Sequence, residues 1–500
     1  MSRMAIVARL DVAPARRALQ RAHHALAGLP PAVTILGLGC MLLAASSDVA
    51  NTTDAPRRGG PGPALLLFVT LLGAFACFVA AARSGLAASH TNAPSSADRT
   101  RKASRTSLAR LLIYPVLLWS LFTATQTVGI LWRGGVHALT VTPTRYGSDD
   151  MYYNHYNAWL VLHGKNPYAG EWLTAEVRYF GDRAYTPIAR GEFADPRRYP
   201  SRARMDAVVG AYLADPRTLP PELNPATTHS YPAGAFLTAL PTVWAGAPSI
   251  AITQIALLVA LIALLVALTP TASARIALAL LLVATADGAR QVTGADFEIW
   301  PLAFLIAAWL LGDRRRLSAI ALGVACAIKQ TAWIAAPFYL IWIWRERGRT
   351  EALRRAAIAV ATFLAINLPW IIASPGAWLA SMALPISLPL LPDGSGVVGL
   401  SLTGVLPLFP SWVYSLLEVA VFAGALVWYW RRQVRYPYAG LALALVPLLA
   451  AWRSSERYFE LLPIAAVALV VLSLRAARPE LAAPHAPLAP PLLAGEGAGG

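Results

Sequence analysis

The sequence predicts an all-α polytopic membrane protein, and three observations lead there. The 500 residues are 57% hydrophobic and only 14% charged, more apolar matter than a soluble core of this length requires. Apolar runs long enough, or nearly long enough, to cross ~30 Å of hydrocarbon recur near 32–50, 64–82, 108–132, 250–268, 274–290, 297–311, 317–328, 331–344, 356–373, 412–430, 436–451 and 459–474. The basic residues behind the net charge of +16 lie mainly in the short connections between these runs and in the N-terminal arm, which is the positive-inside distribution. The charge therefore needs no nucleic acid to explain it.

Each element follows from that arginine pattern. Arg3, Arg9, Arg16, Arg17 and Arg21 hold the arm at 1–31 in the cytoplasm, and Arg83, Arg99, Arg101, Lys102 and Arg105 hold the second connection there. Two N-terminal spans with their loops occupy 32–107, and polar connections fall at 51–63 and 84–107. The span at 108–132 then exits outward. It delivers a long outer loop, 133–230, rich in Tyr, Trp, Pro and Arg and read as ordered. A second outer segment, 374–411, is Pro- and Gly-rich and suits a lid over a cavity. With twelve crossings, the clusters at Arg314 to Arg316, Arg345 to Arg355, Arg431-Arg432, and Arg475 with Arg478 fall inside, as do both termini. Counting 231–247 as a crossing would invert the cluster at 314–316, so this piece, which opens Tyr231-Pro232 and carries Pro241, reads as re-entrant or interfacial. The main membrane module spans 108–475, and 476–500 is a Pro/Ala/Gly-rich tail expected to be disordered. No cleavable signal peptide is evident, and the first span reads as an anchor.

Cys40, Cys77 and Cys326 fall in apolar runs, as small hydrophobes do. The eight histidines form no HExxH and no pair at ligand spacing, so the sequence supplies no zinc pattern.

The richest stretch runs from Gly147-Ser-Asp-Asp to His163-Gly-Lys-Asn-Pro-Tyr168. Ser148 is placed to N-cap a helix whose first turn holds Asp149 and Asp150, where exposed amides and the macrodipole favour negative charge. Gly164 and Asn166-Pro167 end it. The plain alternative is that these acids are only good helix starters. Further on, 317–344 must leave and return between two basic clusters on arms of about 14 residues, ~21 Å of helix each. Lys329-Gln330 at the tip is therefore expected near the outer headgroup level, either facing an anion or snorkelling.

These residues resemble a family. The order of span, Ser148-Asp149-Asp150, Tyr-rich helix and His163-Gly-Lys-Asn-Pro-Tyr168 is similar to the first outer loop of GT-C glycosyltransferases, and closest to glycosyltransferase family 87, the polyprenol-phosphate-mannose-dependent type. Tyr231-Pro232, Thr293-Gly294-Ala295-Asp296-Phe297-Glu298, and Gly323 to Lys329-Gln330 follow in the same order. The resemblance covers roughly 108–345, with weaker agreement through Arg453 to Glu460. The chain departs from the family's usual pattern at Ala233 and Ala295.

The resemblance implies a GT-C-like bundle of about 12 transmembrane helices with a long first catalytic outer loop, sited in the cell (inner) membrane with its site on the extracytoplasmic face. It implies inverting transfer of a mannose-like hexose or pentose from a polyprenyl-phosphate donor to a glycan, lipid or protein hydroxyl. Asp149 or Asp150 would serve as general base, Asp149 preferred because paired acids in related enzymes use the first. Lys329, Gln330 and Arg457 would hold the departing phosphate; for Arg457 an exposed Glu-Arg pair is the alternative. Tyr153, Tyr156, Tyr231, Asp296, Glu298 and Arg453 would line the substrate cavity, with interfacial anchoring the blander account of Tyr152, Tyr153, Tyr156 and Trp159. His155, His163 and His229 read as polar loop or helix residues. The resemblance identifies no definite cofactor, and a divalent cation is compatible with the acidic pair. Two other classes compete: a lipid-linked sugar flippase or other transporter, which should show broken helices, and an O-antigen-type polymerase or ligase, which should rely on outer-loop arginines.

Overall fold

The computed structural model describes residues 29–53, 60–87, 96–142, 145–170, 172–181, 186–215, 217, 220–223 and 230–477. The arginines of the arm at 1–28, the tail at 478–500 and His229 lie outside the described residues.

Helix dominates, as the apolar runs require. In chain order the elements begin with α1 (Pro31–Thr53), α2 (Pro61–Ala87) and the long α3 (Ser96–Thr140). The long loop after α3 contributes α4 (Asp149–Leu162), α5 (Leu173–Phe180) and α6 (Arg202–Ala214), followed by the short apolar α7 (Gly234–Trp244). Then come α8 (Ala251–Leu268), α9 (Ala272–Val283), α10 (Ala286–Arg290), α11 (Ile299–Leu310), α12 (Arg315–Ile328), α13 (Thr331–Arg347) and α14 (Arg349–Ala373). The last part holds α15 (Pro375–Ser387), β1 (Asp393–Gly394), α16 (Val397–Leu402), α17 (Ser411–Arg432), α18 (Gly440–Leu443), β2 (Arg453–Ser454), α19 (Arg457–Glu460) and α20 (Leu462–Ala476).

Among the described residues, seven helical stretches are long and apolar enough to cross a membrane: α1, α2, α3, α8, α14, the stretch from α17 to Arg435, and Arg457–Ala476. An eighth is added if α9 and α10, bent by 55°, make one span. The protein is thus a helical membrane protein. The central post is α20, buried at every position from Leu462 to Leu474, and a helix apolar on all sides suits that place. It packs against α2, α1, α8 and α9, which ties the two front helices into the main body.

Several expected elements differ. The run at 436–451 is not one crossing helix but the single turn α18 and a 3-10 turn at Pro447–Ala450. Pro447 has no N–H to give Leu443, and the bonds that form are the tighter i→i−3 kind, from Val446 to Leu443 and from Leu449 to Val446. The run at 297–311 yields only the 12 residues of α11, because Asp296 to Glu298 are drawn into polar contacts. Helix α3 extends well past 132, so eight residues assigned to the outer loop continue the span's helix. The polar connection at 84–107 likewise ends in the first turns of α3. Residues 231–247 form only an 11-residue helix, shorter than a straight crossing of the hydrocarbon needs. The segment expected as a lid is built in instead: Leu391 to Ser395 are buried, and β1 pairs in parallel with β2, Asp393 opposite Arg453.

Polar contacts gather at two ends. One end joins the long loop after α3, the β1–β2 pair and the α12–α13 tip, through an Ile188–Leu390 bridge and a bond from Gln330 Nε2 to the Ser230 carbonyl at 2.6 Å. The other joins the basic connections, with Arg315 on Glu351 at 2.7 Å and Gln433 on Glu346 at 3.4 Å.

Candidate functional site

Helix α4 begins where the sequence places it, but its cap differs. Ser148 has the extended N-cap backbone, yet its hydroxyl makes no capping bond. It donates to the Asp150 carboxylate instead. Asp149 takes over the first turn: its Oδ1 accepts from the Asp150 amide at 3.0 Å and its Oδ2 from the Thr186 amide at 3.1 Å. The two aspartates therefore part company. Asp149 remains half-buried, while Asp150 is 3% exposed and faces inward.

The inward side is completed by a second break in regular structure. After the 55° bend between α9 and α10, a π-turn at Gln291–Ala295 unwinds the chain, with Gly294 at φ +131°. Only glycine adopts that backbone without strain. The turn puts Asp296 and Glu298 beside the tip of the α12–α13 hairpin, where Lys329 leaves α12 in extended conformation. The Lys329 ammonium lies 3.2 Å from Asp150 Oδ2, 3.2 Å from Asp296 Oδ1 and 2.8 Å from Glu298 Oε1. The Tyr231 ring stands 5.0 Å from it, within cation–π range. Glu298 Oε2 also accepts from the Thr331 hydroxyl at 3.3 Å.

Lys329 is 5% exposed, so it neither snorkels nor stands open at headgroup level. Burial opposes its charge, but Asp296, Glu298, Tyr231 and Asp150 together hold its pKa well above that of a free lysine. Three carboxylates around one ammonium do not all ionise. Burial, reinforced by the Asp296 charge, pushes the Asp150 carboxyl well above the ordinary range. Burial acts on Asp296 in the same sense, but Lys329, a hydrogen bond from Asp150 and Arg457 outweigh it and bring its pKa to about 2. The shared proton thus belongs on Asp150 and the charge on Asp296. Burial also raises Glu298, against the pull of Lys329.

Two arginines approach from the last connection, between α18 and α20. Arg457 Nη2 donates to the Gly147 carbonyl at 3.3 Å, at the threshold of α4, and its backbone carbonyl is held by Gln291 Nε2 at 2.6 Å. Arg453 donates to the Leu391 carbonyl at 3.0 Å and sits 3.9 Å from Asp393. Burial disfavours its charge, yet Asp393, with Tyr199, Tyr458 and Asp149 adding to it, keeps the guanidinium charged.

Asp150, Tyr231, Asp296, Glu298 and Lys329 therefore meet at one centre, with Asp149, Arg453 and Arg457 at its edge. Gln330 is turned away to brace Ser230. Tyr156 does not join the centre; it is 3% exposed, stacked on Trp159 at 5.5 Å and tilted against Tyr179, in the aromatic packing of the loop. Tyr153 is likewise buried. His155 belongs to that packing too, bonded to the Tyr146 hydroxyl at 2.7 Å, and burial lowers its pKa to about 4. Sequence reading missed Tyr146, Thr186, Gln291 and Asp393. Only Asp393 had a local signal, the turn-like Pro392-Asp393-Gly394. Among the described residues, no group of three His, Cys, Asp or Glu side chains is arranged to hold a metal ion; the Lys329 ammonium occupies the focus of the carboxylates.

Below the centre, an apolar cleft of about 530 Å³ descends from Glu298, Thr331 and Tyr458 between Leu302, Leu441 and Leu462. The fold and site together define a helical membrane protein with a buried, proton-sharing charge centre at one end of its bundle. No family model, curated protein or solved structure matches the chain.

Proposed function

We propose that the protein is an integral-membrane glycosyltransferase that moves a sugar from a polyprenyl-phosphate donor to a hydroxyl acceptor, with inversion. The observation that carries this reading is the half-buried carboxylate of Asp149, held in place by the Thr186 amide near Arg453 and Arg457, at the edge of a centre whose Glu298 side opens into an apolar cleft. The acceptor oxygen attacks the anomeric carbon, its proton passes to Asp149, and the bond to the phosphate oxygen breaks with its electron pair leaving on the polyprenyl phosphate. Arg457 and Arg453 meet the developing phosphate charge. Lys329, already surrounded by carboxylates, fixes Asp150 and Asp296 and adds positive field from behind. The cleft suits prenyl units of the donor.

The same reading places the centre on the extracytoplasmic face of the inner membrane, with both termini in the cytoplasm. It counts twelve crossings, four of them short: α11, α12, α13 and the 440–450 piece. The contacts joining Arg315, Glu351 and Gln433 at one end and the aspartates at the other support that arrangement.

The test is purified protein incubated with polyprenyl-phosphate sugars and scored for acceptor-dependent release of polyprenyl phosphate. Asp149→Asn should lower release by about 10²–10⁴-fold while leaving the thermal midpoint in place. Unchanged turnover in that variant removes Asp149 as base. A second reading, a lipid-linked sugar transporter, is favoured by the broken helix at α9–α10 and its unwound turn at Gly294. Movement of intact donor across liposomes without cleavage would select it.

A further inference from the structure

A second cavity, of about 800 Å³, lies behind Arg457, between the front helices α1–α3 and the main body. The charged centre does not use it. Its walls carry four carboxylates, Asp48, Asp287, Glu456 and Glu460, against one cation, Arg290, and Arg290 is spent on Asp287. That lining repels an anion. Ser395 also lines the cavity, and its hydroxyl, on a residue 2% exposed, has no hydrogen-bond partner among the described residues. A buried hydroxyl without a partner costs free energy that a bound ligand restores.

The rest of the lining narrows the ligand. Gln126 in the middle of the α3 span supplies an amide, and Trp119 about two turns before it on the same side of the helix supplies an aromatic face. Acceptor carboxylates, mixed hydroxyl and amide groups, and an indole suit a neutral polyol with one apolar face better than a small cation. The absence of a three-ligand metal group among the described residues fits that choice. Leu43 and Leu71 from α1 and α2 continue the wall at mid-span depth, so the ligand is amphipathic.

We propose that this cavity receives the sugar headgroup of a neutral, lipid-borne glycoside, and that this glycoside is the acceptor. The second clause rests on the transferase reading; the first does not. Glu456 and Arg457 are neighbours in the chain, one lining the cavity and the other reaching Gly147 at the start of α4, which sets the cavity beside the charged centre with Arg457 at their boundary. The front helices, which lie outside the region of resemblance, then have a use: they build the acceptor's wall.

The experiment is photolabelling of the full-length protein in phosphatidylcholine nanodiscs with a decyl β-glucoside carrying a diazirine. Labelled peptides should map to 40–48, 119–126 and 284–290, and unlabelled decyl glucoside should compete while decyl phosphate and free glucose do not. Ala44→Trp, which fills the space, and Asp48→Asn, which removes a charged acceptor, should each cut labelling about tenfold or more, the loss expected for a hydrogen bond to a charged group. Labelling that is unchanged in both variants overturns the proposal. So does stronger competition by decyltrimethylammonium, which makes this a cation site, or by free glucose, which removes the lipid. No donor enters the measurement, so a protein that never releases polyprenyl phosphate leaves the glycoside site standing, whereas transfer without labelling overturns the site alone.

Discussion

Two buried cations in this protein are handled in opposite ways. At the basic end, Arg355 is 1% exposed and bonds Glu351 at 2.9 Å and the Tyr339 hydroxyl at 3.0 Å, with Ser318 at 3.3 Å. Glu351 is shared with Arg315. Carboxylate is the scarce partner there, and neutral hydroxyls complete the set. At the other end Lys329 faces three carboxylates. Carboxylate is in surplus, and a proton must make up the difference. A cluster that only holds helices together gains nothing from a surplus of like charge. A cluster that keeps a titratable proton in a low-dielectric place is suited to chemistry.

The largest effect should come from removing the cation at each end. Lys329→Met leaves three buried acids without a counter-charge and should cost about 3–5 kcal/mol of stability, read as a lowered midpoint in thermal unfolding. Arg355→Met leaves Glu351 bonded to Arg315 and should cost roughly half as much. Equal losses would mean that the two ends are both structural.

Acid should separate the ends next. The folded pKa of His155 is lowered from 6.5 to about 4, so its contribution is complete above pH 6.5 and is lost as the pH falls through about 4. The difference corresponds to about 3 kcal/mol. Amide exchange in α4 should therefore accelerate across this window, while that of α14 does not, and His155→Gln should flatten the dependence in α4. Acceleration of both helices together would mean global unfolding rather than a sensitivity confined to the end that holds Lys329.

The smallest effect should come from Asp150→Asn. Asp150 carries the shared proton, and an amide mimics a protonated carboxyl, so the cost should be about 1 kcal/mol or less. Asp296→Asn, which removes the charge that Lys329 needs, should cost clearly more. Reversal of that order would move the proton to Asp296.

Much of the bundle was legible because apolar runs and arginine clusters obey one-dimensional rules. Helix α4 was legible from Ser148-Asp149-Asp150 and Gly164 for the same reason, since a helix start and stop are local. The failures are three-dimensional. Nothing near Lys329 announces that Asp150 and Asp296, far away in the chain, will close over it; a 14-residue arm sets its depth but not its neighbours. The run at 436–451 has the composition of a span, yet its prolines and its packing against α17 and α20 let it fold as turns. Tyr156 reads as a cavity-lining candidate and His155 as a polar helix residue, but aromatic residues on a helix pack against whichever face is offered, and here α5 offers Tyr179 and Phe180.

The Gly147 amide donates to the Gly294 carbonyl at 2.7 Å. This one bond latches the start of the outer loop to the π-turn, so the aspartates of α4 and Asp296 ride on a common frame. The course of the loop beyond Thr186 is thereby decoupled from the spacing of the acids. Their approach is settled during folding rather than at each encounter with a ligand, and the entropy of bringing them together is not charged to the reaction.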